Sequence, residues 1–177
     1  MDVNISGSKI EIIQGDITEQ DTQAVVNAAN THLWMGSGVA GAIKKKGGSE
    51  IETDAIEQGP VNIGQSVLTN GGDLRAQWVI HTVSMGQDQK TNVDYVSKAT
   101  LSALELAEEK SIQSLSFPAI GTGAGGVQVN QCASAMLNQT IEFLQKSKNV
   151  SLVRFILFDD TTTEAFNKEL EHFFARH

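Results

Sequence analysis

The sequence predicts an α/β fold, in which a mixed, largely parallel sheet is covered by helices on both faces. Short apolar runs of strand length alternate with longer amphipathic segments through most of the chain, which is typical of strands connected by helices. Segments rich in glycine, asparagine or aspartate follow predicted strands at 15–18, 27–39, 121–127 and 158–160. Because the carboxyl ends of parallel strands meet at one edge of a sheet, we expect these segments to converge there.

The composition is that of a single acidic domain. At 177 residues the chain can bury a substantial core, and we expect one domain over residues 1–177. The net charge of −8 argues against a general nucleic-acid binder, so backbone N–H groups would have to hold any bound phosphate. The single cysteine excludes a disulfide within the chain and a multi-cysteine metal site, and we expect neither a metal nor a cofactor. No segment resembles a signal peptide or a membrane span, which predicts a cytoplasmic protein, with a monomer as the default for one acidic domain of this size.

Two predicted strands near the N-terminus each lead into polar residues. The first covers residues 9–14 and is followed by the turn 15–18, in which Asp16 is suited to cap the turn. The second covers 24–26 and runs into residues 27–30, two asparagines around two alanines. Their amide groups would lie at the sheet edge, where ligands bind in open α/β sheets.

A second glycine-containing loop follows. Residues 31–38 lead into a predicted helix at 39–46, so the Gly-Ser-Gly segment at 36–38 would lie at a helix N-terminus, a favourable place for an anion. A short helix is predicted at 49–58, and the Gly-Pro pair at 59–60 ends it.

The middle of the chain is predicted to add two strands and a helix. The strands cover 65–69 and 78–83, and His81 lies among apolar neighbours in the second, which favours a structural role over a catalytic one. The helix covers 92–109 and is expected to expose Glu108 on its polar face.

The most informative stretch is SLSFPAIGTGAGGV at 114–127. It contains a predicted buried strand at 115–120, a loop at 121–126 with four glycines in six residues, and the start of a helix at 127–145. Glycines let backbone N–H groups approach a ligand, so this arrangement favours a bound phosphate. The loop matches G-x-G-x-x-G but lacks the Lys-Ser/Thr of a Walker A loop. The alternative interpretation is a strand-to-helix turn in which the glycines serve close packing.

The chain is predicted to end with one more strand and one more helix. The strand covers 151–158 and is followed by two aspartates, and an amphipathic helix covers 161–174. Cys132 falls on the helix after the glycine loop, where we expect a buried structural thiol.

Taken together, these segments resemble the macro domain, the module that binds ADP-ribose and its derivatives. The matching motifs are GDIT at 15–18, VNAAN at 26–30, GSGVAGAI at 36–43 and FPAIGTG at 117–123, in the order of the family. The resemblance implies a three-layer α/β/α sandwich around a mixed, mostly parallel six-stranded sheet.

The resemblance also implies a role for each matching residue. Asp16 would accept a hydrogen bond from the adenine amino group, and Ile17 would contribute a backbone N–H. Phe158 resembles the aromatic residue that lies against the adenine in several relatives, although it is also suited to the core. Asn30 would face the distal ribose and orient it in any hydrolysis, which makes it the candidate catalytic residue. Backbone N–H groups of two loops would wrap the diphosphate, contributed by Gly38, Val39, Gly121, Thr122, Gly123, Ala124, Gly125, Gly126 and Val127.

Two departures from the family pattern bear on catalysis. Relatives that remove mono-ADP-ribose from proteins typically carry Asp where this chain has Ala40, and they often place an aromatic residue where it has Gly125. The lysine of another hydrolase branch has no counterpart, because the lysines at 44–46 come too late in the helix. The usual supplier of general acid–base help is therefore missing.

The resemblance therefore favours a protein that binds ADP-ribose or an ADP-ribosylated protein. The alternative is a hydrolase that removes ADP-ribose from proteins, deacetylates O-acetyl-ADP-ribose or dephosphorylates ADP-ribose 1''-phosphate, because some macro domains with Ala at this position hydrolyse ADP-ribosyl esters. A nicotinamide-dinucleotide enzyme that uses the loop at 121–126 is disfavoured, since a dinucleotide fingerprint normally opens its βαβ unit.

Overall fold

The computed structural model describes residues 1–176 as one seven-stranded sheet with five α-helices. The strands are β1 (Asp2–Ile5), β2 (Ser8–Gln14), β3 (Ala24–Asn30), β4 (Ser66–Asn70), β5 (Trp78–Met85), β6 (Ser114–Phe117) and β7 (Leu152–Leu157). The helices are α1 (Gly38–Gly47), α2 (Glu50–Glu57), α3 (Val93–Glu109), α4 (Val129–Leu144) and α5 (Asp160–Arg176), and a 3-10 turn covers Ile17–Glu19. None of the helices in this part of the chain is long and apolar enough to cross a membrane.

The sheet is mixed and mostly parallel, as predicted. Its strand order is β1-β2-β7-β6-β3-β5-β4. The five inner strands are parallel to one another, whereas β1 and β4 pair antiparallel at the two edges. Parallel neighbours need crossover connections, and the helices supply most of them.

Helices cover both faces, so the three-layer architecture is confirmed. Helices α3, α4 and α5 pack on one face, over a core that includes Val26 and Phe155. Helices α1 and α2 pack on the other face, over Val25, Val79 and Ile156. The adjacent residues Val25 and Val26 enter opposite cores because successive side chains of a strand point to opposite faces. This two-sided burial explains why β3, β5 and β7 are rich in apolar residues that point to both faces.

The sheet has one strand more than the six expected. The additional strand is β1, which pairs antiparallel with β2 and places Val3 opposite Ile10. Only Ile5 of its four residues is buried. Main-chain pairing and the packing of Val3 and Ile5 on the core hold β1 in place, and its sequence lacks the apolar run by which the other strands were recognised.

Two strand ends differ from the predictions. Strand β3 continues to Asn30 because it stays paired with β5 to that point, so Asn27 lies inside the sheet and not at its edge. Strand β6 ends at Phe117, and residues 118–120 already belong to the loop that follows.

Glu108 is not the solvated residue that the helical pattern predicted. Its carboxylate accepts hydrogen bonds from Ser147 Oγ at 2.6 Å, from Asn149 N at 2.7 Å and from Lys148 N at 3.1 Å. Burial raises the pKa of the Glu108 carboxyl, but these hydrogen bonds outweigh it and hold the pKa below its usual value. Glu108 thereby fixes the turn between α4 and β7 to the end of α3.

Replacing Glu108 with alanine is expected to lower the free energy of unfolding by about 2 kcal/mol, because several N–H donors lose a charged acceptor. Urea denaturation of the two proteins measures the difference. The matched control is Glu109→Ala, which removes an exposed neighbouring carboxylate and should change stability by less than about 0.5 kcal/mol. Equal effects of the two substitutions would contradict the role assigned to Glu108.

Candidate functional site

The ends of five neighbouring strands form one row along an edge of the sheet. Because β2, β7, β6, β3 and β5 are parallel, the segments that follow them lie side by side in that order. With neighbouring strands about 4.8 Å apart, the row is about 19 Å long. The segments predicted to converge therefore do so, and the segment after β5 joins them. In row order, the segments are 15–19, 158–159, 118–128, 31–37 and 86–92.

Asp16 lies at the β2 end of the row. Its Oδ1 accepts hydrogen bonds from Thr18 Oγ1 at 2.7 Å and from Thr18 N at 2.9 Å, which caps the 3-10 turn. These two bonds lower the pKa of the Asp16 carboxyl, so it is ionised at neutral pH. Within residues 1–176, Oδ2 of Asp16 and the backbone N–H of Ile17 have no hydrogen-bond partner. The pair therefore offers one acceptor and one donor to a ligand.

Phe158 follows β7, beside the turn that carries Asp16. Its side chain is 91% exposed, which excludes the core position that the sequence left open. The backbone N–H of Gly15 donates to Leu157 O at 2.9 Å and joins the two segments. An exposed ring next to a carboxylate is suited to a flat base that carries an amino group.

The loop after β6 presents a row of unpaired backbone N–H groups, and only its last two N–H groups are bonded within the loop. The N–H of Val127 donates to Gly121 O at 2.9 Å, and that of Gly126 donates to Gly123 O at 3.2 Å. Helix α4 begins directly beyond, and its N-cap residue, Gln128, makes no side-chain capping bond. Unpaired donors at a helix N-terminus are a site for an anion. Four consecutive N–H groups donate no hydrogen bond within the described residues, those of Thr122, Gly123, Ala124 and Gly125.

Two glycines of this loop are needed for close packing. Gly121 has φ +86°, and an added Cβ would lie 2.7 Å from Thr91 Cγ2. At Gly125 the added Cβ would lie 2.6 Å from the same atom. Gly123 differs, because nothing lies within 4 Å of an added Cβ there. The packing interpretation of the glycine loop therefore holds at Gly121 and Gly125, whereas Gly123 has open space beside it.

The second glycine loop, residues 36–38, lies at the N-terminus of α1. Gly38 opens α1 with φ +60°, a conformation that favours glycine. The N-cap residue, Ser37, makes no side-chain capping bond, and the N–H groups of Gly38 and Val39 have no partner within residues 1–176. Glu52 holds the residues before α1 against that helix. Its carboxylate accepts hydrogen bonds from Met35 N at 2.5 Å and from Lys44 Nζ at 2.7 Å.

Asn30 ends β3 and organises the loop that follows it. Its Oδ1 accepts hydrogen bonds from His32 N at 3.0 Å and from Trp34 N at 3.3 Å, and its Nδ2 donates to Trp34 O at 3.1 Å. One N–H of the amide is left for a ligand. The side chain therefore holds the loop backbone as well as lying at the edge of the sheet.

Three residues near Asn30 had no role predicted from the sequence. The rings of His32 and Trp34 lie 4.9 Å apart, and Gln87 Nε2 contacts the His32 ring, 2.8 Å from its Nε2. Trp34 is 52% exposed. The available signal was a histidine and a tryptophan two and four residues after Asn30, in a loop already considered for ligand binding.

Other buried polar groups have structural roles. His81 contacts Asn27 Nδ2 at 3.1 Å and Thr69 Oγ1 at 2.9 Å, and burial lowers its pKa to about 4. These contacts confirm the structural role of His81, and they show that the Asn27 amide lies inside the sheet and not at its edge. Burial raises the pKa of Cys132 to about 12, and its Sγ donates to Ile120 O at 3.2 Å, as expected of a structural thiol.

A family model of the macro domain matches residues 26–136, which include most of β3, both glycine loops and the start of α4. The chain belongs to the macro domain family. A macro domain-containing protein of Caldanaerobacter subterraneus is 37% identical over 171 residues, which cover 92% of this chain and 96% of that protein. A mutant of the Oceanobacillus iheyensis macrodomain with ADPR has a TM-score of 0.91 at 31% identity and covers 99% of this chain and 98% of its own. The Trypanosoma brucei macrodomain in complex with ADP-ribose has a TM-score of 0.84 at 28% identity and covers 91% of this chain and 68% of its own.

The two departures from the family pattern have clear positions in this macro domain. Ala40 is 7% exposed in the first turn of α1, a turn that contains no acidic residue. Gly125 is enclosed by Thr91 and by Gly121 O, which an added Cβ would approach to 2.8 Å. An aromatic side chain at position 125 would therefore require the loop to be rebuilt.

Proposed function

We propose that this chain binds ADP-ribose or its derivatives along the carboxyl edge of the sheet. The observation that carries the proposal is the order of groups in the row. Asp16 and Phe158 come first, the unpaired N–H groups of residues 122–125 follow, and Asn30 comes next. ADP-ribose presents adenine, diphosphate and distal ribose in the same order. The macrodomains of Oceanobacillus iheyensis and Trypanosoma brucei described above are complexes with ADPR and ADP-ribose.

The adenine would occupy the end formed by β2 and β7. Its amino group would donate to Asp16 Oδ2, its ring nitrogen would accept from the N–H of Ile17, and its face would lie against Phe158. The carboxylate is ionised at neutral pH and so acts only as an acceptor, which suits the amino group of adenine and rejects a carbonyl at that position.

The diphosphate would lie between the two glycine loops. The N–H groups of residues 122–125 would approach it from the α4 side, and those of Gly38 and Val39 from the α1 side. The N–H groups of Gly126 and Val127, which the resemblance included, already donate within the loop. The two helix N-termini add favourable dipoles for an anion. Backbone donors of this kind explain how a protein of charge −8 could hold two phosphates.

The same geometry favours binding over efficient hydrolysis. Position 40 carries alanine, and the carboxamide of Asn30 is largely occupied by the loop that it holds. General acid–base help accounts for roughly a hundredfold to ten-thousandfold of a typical enzymatic rate, and its usual source is missing.

Calorimetric titration of the wild-type protein with ADP-ribose tests the proposal directly. Phe158→Ala should weaken binding about tenfold, because stacking of a base on an aromatic ring is lost. It should leave the affinity for ribose 5-phosphate unchanged, since that ligand has no base. The matched control is Phe174→Ala, which removes an aromatic ring of 42% exposure near the end of α5.

Three outcomes decide between the alternatives. A wild-type protein that does not bind ADP-ribose would overturn the proposal, and an unchanged affinity in Phe158→Ala would remove the adenine contact assigned here. The titrated sample is then incubated with an ADP-ribosylated peptide and with O-acetyl-ADP-ribose. Release of ADP-ribose from either would favour the hydrolase alternative, in which Asn30 orients the distal ribose.

A further inference from the structure

The row of strand ends carries an exposed aromatic cluster at the end opposite Phe158. It consists of His32, Trp34 and Gln87, which we call the aromatic platform. The rings of His32 and Trp34 are tilted by 40° with centroids 4.9 Å apart, and the Gln87 amide lies against the edge of the His32 ring. His32 and Trp34 follow β3, and Gln87 follows β5, the last parallel strand of the row.

Two exposed aromatic side chains therefore lie in different segments of one row. Strands β7 and β3 are separated by β6 alone, so the end of the strand before Phe158 and the end of the strand before Trp34 are about 10 Å apart. ADP-ribose contains one base, and the Asp16 carboxylate lies beside Phe158. The ring of Trp34 is thus left for something other than the base.

The platform is held in place before any ligand binds. Asn30 makes three hydrogen bonds to the backbone of His32 and Trp34, and Glu52 accepts from the backbone N–H of Met35. Met35 and Leu33 are both 1% exposed, so they anchor the loop in the core on either side of Trp34. A Trp ring on an anchored backbone loses little conformational entropy when it contacts a partner.

The chemistry of the platform suits a polypeptide. Within residues 1–176 the indole N–H of Trp34 donates no hydrogen bond, so the ring offers an apolar face and a free donor together. The imidazole and the Gln87 amide add groups that pair with peptide N–H and C=O groups. A nucleic acid is disfavoured as the occupant because the chain carries a charge of −8 and phosphate recognition by side chains needs cations.

We propose that the aromatic platform contacts the polypeptide to which ADP-ribose is attached, so that the chain prefers protein-linked ADP-ribose to free ADP-ribose. This inference rests on the proposed function, since the distal ribose must lie at Asn30 for the attached polypeptide to emerge beside Trp34. His32, Trp34 and Gln87 are then specificity residues and take no part in holding ADP-ribose itself.

The test compares two ligands, free ADP-ribose and a short peptide that carries one ADP-ribose through a hydrolysis-resistant linkage. The wild-type protein should bind the peptide conjugate about fivefold more tightly, as one well-placed aromatic contact provides. Trp34→Ala should abolish this difference and leave the affinity for free ADP-ribose within about twofold. Phe174→Ala is the matched control and should retain both affinities, because it removes a similarly exposed ring from the far end of α5.

Each remaining outcome contradicts the inference. If the wild-type protein binds the two ligands with equal affinity, or if Trp34→Ala weakens both equally, the aromatic platform does not contact the attached polypeptide. An oligonucleotide that carries ADP-ribose at one end and binds more tightly than the peptide conjugate would replace the polypeptide with a nucleic acid. If the wild-type protein binds free ADP-ribose but does not prefer the conjugate, only this inference fails. If it binds neither, the proposed function fails as well.

Discussion

Gly123→Glu is expected to abolish ADP-ribose binding and leave the protein folded. Nothing lies within 4 Å of a Cβ at this position, and Gly123 is not among the residues with positive φ, so the fold should accept a side chain. The carboxylate would project from the middle of the four unpaired N–H groups that we assign to the diphosphate. Two like charges 4 Å apart near a protein surface repel by about 4 kcal/mol, so affinity should fall by more than about a hundredfold.

Three further variants separate the causes of this loss. Gly123→Ala should keep most of the affinity, and Gly123→Gln, which adds bulk without charge, should lie between the two. Gln113→Glu is the charge control, because it places the same new carboxylate at the opposite end of β6, on an exposed residue. Calorimetry gives the affinities, and thermal unfolding shows whether each variant is folded. Unchanged affinity in a folded Gly123→Glu protein would mean that the phosphates lie elsewhere.

The second large effect concerns stability at acidic pH. His81 has a pKa of about 4 in the folded protein because it is buried, whereas a histidine in an unfolded chain titrates near 6.5. Between these two values the unfolded chain takes up a proton that the folded protein does not. The contribution of His81 is therefore complete above about pH 6.5 and is lost as the pH falls toward 4, by about 3 kcal/mol in total.

Urea denaturation at several pH values between 7 and 4 measures this slope. His81→Gln should be less stable at pH 7 but should lack the part of the slope that comes from the imidazole. His172→Gln is the matched control, since His172 is exposed on α5 and its replacement should leave the slope intact. Parallel curves for the wild-type protein and His81→Gln would contradict the assignment.

Most of the fold was predictable because local signals and global topology agree. Apolar residues dominate most of the inner strands, glycine, asparagine or aspartate lies at or just after the end of most of them, and the helices have apolar residues at helical spacing. The glycine loops were recognisable for the same reason, since strand, loop and helix follow one another within about fifteen residues. The edge strand β1 was missed because it is only four residues long and just two of them, Val3 and Ile5, are apolar.

The details that sequence could not supply depend on residues far apart in the chain. Glu108 meets its partners 39 to 42 residues later, and no spacing rule connects them. The sequence allowed Phe158 either to cover a ligand or to enter the core, and only its 91% exposure decides between them. Asn27 and Asn30 look equivalent in the motif, yet the alternation of the strand buries the first against His81 and leaves the second at the edge.

The loops assigned to the diphosphate consist of glycine, alanine, threonine and valine, with no lysine or arginine among residues 121–127. A cradle without cationic side chains provides no long-range attraction, and the overall charge of −8 repels nucleotides in general. Selectivity must then come from short-range fit. A molecule recovers the free energy lost when its phosphates are dehydrated only if its phosphate oxygens accept hydrogen bonds from these N–H groups. If the diphosphate lies in these loops, salt should screen the overall repulsion, so the affinity for ADP-ribose should rise slightly with ionic strength and not fall as it does at cationic phosphate sites.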